Sequence, residues 1–271
     1  MKIKCLIAKI NIEFDILSKK IYQELEKYEV TNEPDFFITS VLEDELVLPS
    51  KEPSIVGKYY KIYKEGNTLI QAQYGEKENL IGIIEYCENK AVLHFTKNNI
   101  YYDEFLLSDY ALVYFVLKNQ NAIFIHSSCL AYKDNGILLI ANSGTGKSTH
   151  ANLWSQYEDV IRVNDDKNFI ILEDGELKVY ANPYSGKHLI HTNTSVKLTH
   201  LVFLHQSKEN VARVLSTKEK FFMLLPHIMN TSFILSREKW DLMTNELIKV
   251  KGISLGCNIS QEAVETLKNS L

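Results

Sequence analysis

The chain has little of what marks a secreted, membrane-inserted or nucleic-acid-coating protein. Its four cysteines (Cys5, Cys87, Cys129, Cys257) stand far apart with no C-x-x-C pair. That spacing suits neither a zinc site nor a disulfide framework and predicts the reduced thiols of a cytoplasmic protein. No stretch approaches the roughly 18 consecutive apolar residues that a membrane helix needs. Lys2 and Lys4 resemble the basic start of a secretion signal, but Lys9, Glu13 and Asp15 break up any apolar segment behind them. There is no basic excess: 30 Lys and Arg against 34 Asp and Glu leave a net charge of −4. A weakly acidic chain lacks the electrostatic footprint of a general DNA or RNA binder. Internal repeats and low-complexity tracts are missing as well. The expectation is a cytoplasmic protein with neither nucleic acid nor membrane as a partner.

What is present fits a folded globular protein: 271 residues, 45% hydrophobic and 24% charged, enough for one large domain or two modest ones. The hydrophobic period changes along the chain. Residues 1–102 predict a small, mainly antiparallel α+β domain, with a strand over 3–12, an amphipathic helix over 16–28 and a meander of strands over 57–63, 69–74, 80–86 and 91–96. Residues 103–271 alternate differently. An apolar helix over 105–117 precedes strands at 123–131 and 136–141, then a helix to Trp154. Strands at 160–164, 169–173, 201–204 and 253–257 and helices at 217–229, 236–250 and beyond 261 complete an α/β layered core. Phe221–Leu225 is expected to be helix core, and His94 a sheet residue.

The sharpest pattern is Ala141-Asn142-Ser143-Gly144-Thr145-Gly146-Lys147-Ser148, which fits G-x-x-x-x-G-K-[ST] except that Ala141 replaces the first glycine. An apolar strand enters it and a helix leaves. Small residues let successive backbone N–H groups curl around phosphate oxygens, and the helix start adds its positive dipole end. Asn142 to Thr149 is therefore the candidate nucleotide-binding segment. Within it, Lys147 meets the β/γ-phosphates and the Ser148 hydroxyl is placed for Mg²⁺. Ala141 is harmless if extended and costs on the order of 1 kcal/mol if left-handed.

Asp165-Asp166 ends the apolar stretch 160–163, where a metal-binding carboxylate belongs beside a phosphate loop. One acid can hold metal while the other takes a proton from an attacking hydroxyl; the pair also reads as a plain polar turn. His126 closes a strand expected to pair with the one that feeds the loop. His188 and His191 read as loop histidines, and His150 has either a packing or a nucleotide-side role.

Ser143–Thr149, the acidic pair and His126 together resemble the catalytic domain of the HPr kinase/phosphorylase family, whose P-loop core phosphoenolpyruvate carboxykinase shares. Lys147–Trp154, Asn164–Lys167 and Pro183–Lys187 are similar to a group of HPr-kinase-like proteins. The likeness spans roughly residues 105–260. It implies an α/β fold with a P-loop kinase core of that type and an ATP- and Mg-dependent kinase that phosphorylates a hydroxyl of a peptide, a protein or a small alcohol. By the resemblance, Asp165 acts as base, Ser148 and Asp166 manage the metal, Lys147 steadies the phosphoryl group and His126 sits in the catalytic centre. The family's glycine- and arginine-bearing signature after the acids is not found; Ser185-Gly186-Lys187 stands in a comparable place, with Lys187 as a substrate-side cation. Relatives of this kind are often oligomers. Two other readings stay open: a nucleotide-responsive peptide-binding module without phosphotransfer, and a phosphorylase running the reverse reaction.

Overall fold

Alternating apolar residues turn the first fifteen positions into a hairpin, not one strand. The computed structural model describes residues 1–185, 190–229 and 233–271. In it β1 (Lys2–Ile7) and β2 (Ile10–Asp15) pair antiparallel, burying Ile3, Cys5 and Ile7 with Ile10, Ile12 and Phe14. Ala8 and Lys9 between them take φ of 48° and 67°, the two left-handed positions of a type I′ turn. That turn replaces the single strand expected over 3–12, and it lacks the glycine or asparagine that signals such a bend.

After α1 (Lys19–Leu25) comes β3 (Phe36–Leu42), a strand with no counterpart in the sequence reading, lying parallel between β2 and the later strand Lys90–Phe95. The short β4 (Ile55–Val56) leads into β5 (Tyr60–Glu65), β6 (Thr68–Tyr74), β7 (Leu80–Cys87) and β8 (Lys90–Phe95), the antiparallel meander the turn residues predicted. The sheet order is β1-β2-β3-β8-β7-β6-β5-β4. Helix α2 (Ile100–Asn119) packs on this sheet: Phe115 stacks on Phe36 with ring centroids 4.8 Å apart, Tyr114 stacks on Tyr86 at 4.0 Å, and Leu107 fills the space over Gly82. Glu104 accepts the backbone N–H groups of Leu17 and Ser18, both at 2.7 Å, at the start of α1. These contacts hold α2 with the first of two compact units, Met1–Lys118, so the division falls at 118/119 where the sequence reading set it at 102/103.

The second unit, Asn119–Leu271, is a mixed α/β body. Its strands in chain order are β9 (Ala122–His126), β10 (Ser128–Tyr132), β11 (Asn135–Ile140), β12 (Ile161–Asn164), β13 (Lys167–Glu173), β14 (Glu176–Ala181), β15 (Ser195–Gln206), β16 (Val211–Val214) and β17 (Lys251–Cys257). Helix α3 (Lys147–Tyr157) follows β11, α4 (Thr217–Leu224) and α5 (Arg237–Leu247) precede β17, and α6 (Gln261–Lys268) ends the chain. The strand expected over 123–131 breaks at Ser127, and its two parts go separate ways. Strand β10 pairs with β11, whereas β9 pairs with β13, which corrects the expected pairing of the His126 strand with the strand feeding the loop. Strands β11, β15 and β17 run parallel.

Successive side chains of a strand point to opposite faces, so β11 feeds two cores. Ile137 and Leu139 pack with Ala151 and Trp154 of α3 and Val264 and Leu267 of α6. Leu138 and Ile140 join Leu224, Met243 and Leu247 of α4 and α5. Only part of the aromatic run on α4 is core: Leu224 is buried, while Phe222 is 60% and Met223 37% exposed, a correction to the buried segment expected at 221–225. Among the described residues no helix is long and apolar enough to cross a membrane.

Candidate active site

Strand directions bring the candidate residues to one edge of the second unit. Strand β10 is antiparallel to both β11 and β12, so β11 and β12 point the same way. The segments that follow them, Asn142–Gly146 and Asp165-Asp166, therefore leave the sheet at the same end, two strand spacings or about 10 Å apart. Strands β15 and β17 share that direction and end there too, at His205-Gln206 and Cys257. His126 arrives at the same end because it pairs with Lys167, the first residue of β13. Ligands of parallel α/β sheets bind beyond the carboxyl ends of the strands.

The loop after β11 has the backbone that the glycines foretold. Gly144 and Gly146 take φ of 79° and 117°, and a Cβ added to either would meet no atom within 4 Å, so the glycines are needed for conformation while the space above them stays open. Ala141 is not among the left-handed residues, and it is buried beside α3; the missing first glycine introduces no backbone strain. Thr145 N–H closes the loop onto Asn142 O at 3.2 Å, and α3 begins at Lys147. The Lys147 amine donates to the carbonyls of Ala141 at 2.7 Å and Asn142 at 3.4 Å, which holds its charge against the loop. Burial pushes the pKa of this amine down, and the Asp166 carboxylate pulls it partly back.

The two acids of the turn have different surroundings. Asp165 is buried, with Arg162 Nε 3.0 Å from Oδ1 and the guanidinium Nη2 bonded to Oδ2. Both of its oxygens are thus engaged, which leaves it poorly placed for the base role expected of it. Asp166 faces the site. Its Oδ1 lies 3.4 Å from His126 Nε2. Burial raises the Asp166 pKa, but the His126 hydrogen bond and the charges of Lys167, His126 and Lys147 outweigh it, so the carboxyl stays below its ordinary range and ionised.

Residues to which the sequence assigned no site role hold this turn. The buried Asn164 amide donates to Asn182 O at 2.7 Å and accepts the N–H groups of Asp166 and Lys167. Asn168 Nδ2 reaches back to Ser127 O at 2.6 Å, and Ser127 N–H donates to Asp166 O at 2.9 Å, which ties β9 to the turn. An asparagine just before an acidic pair is a recognisable Asx-turn signal; the contribution of Arg162 is visible only in space. His191 is buried and bridges to Asn164, so it supports the turn as a loop histidine. His150 is a buried residue of α3 itself, its Nε2 accepting from Trp154 Nε1 one turn on at 3.2 Å, and burial lowers its pKa to about 4. His94 lies on the first unit's sheet, 2.8 Å from Glu43. Lys187 and His188 fall outside the described residues.

Two clefts meet at Gly144, Thr145 and Gln206. One, about 600 Å³, runs past Asn142 and Ser143 to His205, Met223, Pro226 and His227. The other, about 490 Å³, passes Thr149 and Leu153 to Asn258 and Ile259. Among the described residues no group of three His, Cys, Asp or Glu side chains is gathered to hold a metal.

No family model matches the chain, and no curated protein sequence matches it. Among solved structures, the Hpr(Ser) kinase/phosphatase from Coxiella burnetii is similar over 54% of this chain and 91% of its own, at 11% sequence identity and a TM-score of 0.33.

Proposed function

We propose that the protein is an ATP-dependent phosphotransferase of the HPr-kinase-like type, with a P-loop kinase core, acting on a hydroxyl of a peptide, a protein or a small alcohol. The observation that carries this reading is the convergence of an open, glycine-hinged loop, a buried lysine and an ionised aspartate at one sheet end, with Lys147 and Asp166 acting on each other electrostatically.

The residues present fit a nucleotide and its metal. The N–H groups of residues 142–149 and the start of α3 supply donors and positive potential for phosphates. Lys147 adds a point charge that burial strengthens. Ser148 is the side-chain oxygen that would hold Mg²⁺, which would neutralise charge on the phosphates; the metal role expected of Asp166 gives way to the base role below. His126 fixes the orientation of Asp166. The base role passes from Asp165 to Asp166, whose second oxygen accepts the hydrogen of the incoming hydroxyl. In the transfer, a bond forms from the acceptor oxygen to the terminal phosphorus, the bond to the bridging oxygen breaks, and the acceptor proton leaves through Asp166. Phosphoryl transfer demands alignment and charge stabilisation more than a strong base, so an ionised carboxylate of low pKa suffices. Asp165, paired with Arg162, holds the turn that presents Asp166. Lys187 remains the proposed substrate-side cation.

The test is transfer of label from γ-labelled ATP to a panel of seryl peptides and alcohols in the presence of Mg²⁺. Labelled acceptor that disappears in Lys147→Ala and Asp166→Asn supports the reading. Stoichiometric nucleotide retention without product would instead identify a nucleotide-responsive binding module, and absence of nucleotide binding would reject both.

A further inference from the structure

The covalent route from the phosphate loop to the acid turn is indirect. It runs down α3, through residues 158–160 at the opposite end of the sheet, and back along β12. Side chains make a shorter link. Val163 packs into the core shared with α4 and α5, so its neighbour Arg162 faces the side of the sheet that α3 covers. There the guanidinium is used along two edges. Its Nε lies 3.0 Å from Asp165 Oδ1 and its Nη2 bonds Oδ2, while Nη1 donates to the side-chain oxygen of Asn152 on α3. A planar fork can hold a carboxylate and a second acceptor together; a lysine ammonium on a flexible stem does not fix that geometry.

The two ends of this bridge matter for different reasons. Asn152 stands five residues after Lys147, about 7.5 Å along a helix axis. It is exposed, and asparagine is a mediocre helix former, so the stability of α3 does not account for this residue. Asp165 directly precedes Asp166, and its backbone is anchored elsewhere. Ser128 Oγ donates to Asp165 O at 2.7 Å, and Asp165 N–H donates to Ile190 O at 3.2 Å. Those bonds tie the turn to β10 and to residue 190. Its tie to α3 is made through Arg162.

We propose that Asn152 is a positioning residue: through Arg162 and Asp165 it sets the turn that carries Asp166 against the helix that begins at Lys147. This rests on the kinase reading above and adds a link that neither the phosphate loop nor the acid turn supplies alone. Small misplacements between reacting groups are costly to turnover while leaving binding intact.

The experiment measures transfer from γ-labelled ATP, with Mg²⁺, to the best acceptor of the peptide and alcohol panel, with calorimetry and thermal melts alongside. Asn152→Ala is expected to lower kcat roughly five- to tenfold, the value of one hydrogen bond. Affinity for the non-hydrolysable β,γ-imido analogue of ATP should stay within about twofold, and the melting midpoint near wild type. Asn152→Asp keeps an oxygen for Nη1 and is expected to restore most of kcat. In an Arg162→Lys background, where the fork is already lost, Asn152→Ala should cost little more. Wild-type kcat in Asn152→Ala, or a loss that Asn152→Asp does not repair, would overturn the proposal. So would a fall in kcat accompanied by an equal loss of nucleotide affinity or by a lowered melting midpoint, the mark of a merely structural role. A wild-type chain that binds the analogue yet transfers to no acceptor would end the kinase reading, and this inference with it.

Discussion

The side-chain Oδ1 of Asn164 accepts the backbone N–H of Asp166 at 2.8 Å, and the same oxygen takes Lys167 N–H at 3.0 Å. One fully buried amide therefore shapes the turn that points Asp166 at His126. Asn164→Ala would strand these N–H groups and the carbonyl of Asn182. A loss of about 1–3 kcal/mol is expected in urea unfolding, with transfer activity falling further than stability explains because Asp166 is no longer aimed.

The two acids should separate in their effects. Asp166→Asn is expected to abolish transfer while the unfolding midpoint stays near wild type. Asp165→Asn leaves the Arg162 guanidinium without its buried counter-charge, and removing one partner of such a pair costs about 3–5 kcal/mol. Thermal melts beside transfer assays decide the matter: an Asp165→Asn protein that melts normally yet is inactive would return the base role to Asp165.

The loop offers a paired test of conformation. Gly146→Ala places a Cβ on a residue at φ 117°, which should destabilise the loop by about 1–2 kcal/mol and weaken nucleotide binding severalfold. Ala141→Gly restores the consensus residue where no left-handed backbone requires it. It should gain no affinity and lose up to about 1 kcal/mol of stability through added freedom in the unfolded chain. Tighter binding in Ala141→Gly, measured by calorimetry, would contradict this account of the loop.

Acid should weaken the second unit through His200. This residue is 6% exposed on β15, its Nδ1 lies 2.8 Å from Thr199 Oγ1, and Lys251 stands opposite on β17. Burial, then the Lys251 charge, lowers its pKa below the ordinary histidine value. As pH falls through about 6.5 the unfolded chain takes up the proton before the folded one. The stability tied to neutral His200 is therefore complete above that pH and declines below it, until the folded pKa is passed. Unfolding midpoints between pH 8 and 5 should fall less steeply in His200→Gln than in wild type.

Much of this protein is legible locally. The meander of the first unit follows from turn residues at regular gaps, and the strand–loop–helix around Lys147 from a glycine pattern whose φ values no other residue accepts easily. Other elements carry no local mark: the Ala8-Lys9 turn has no glycine, β3 lies parallel between its predecessor β2 and the distant β8, and the break at Ser127 sends β9 and β10 to different partners. The identities of Asn142 to Thr149, Asp165, Asp166 and His126 as candidates came from residue type and order alone. That His126 comes to lie beside Lys167, and not on the strand paired with the one that feeds the loop, was decided by strand pairing. Those are long-range pairings, and hydrophobic period does not encode them, because the same alternation buries a strand equally well beside any neighbour of the right register.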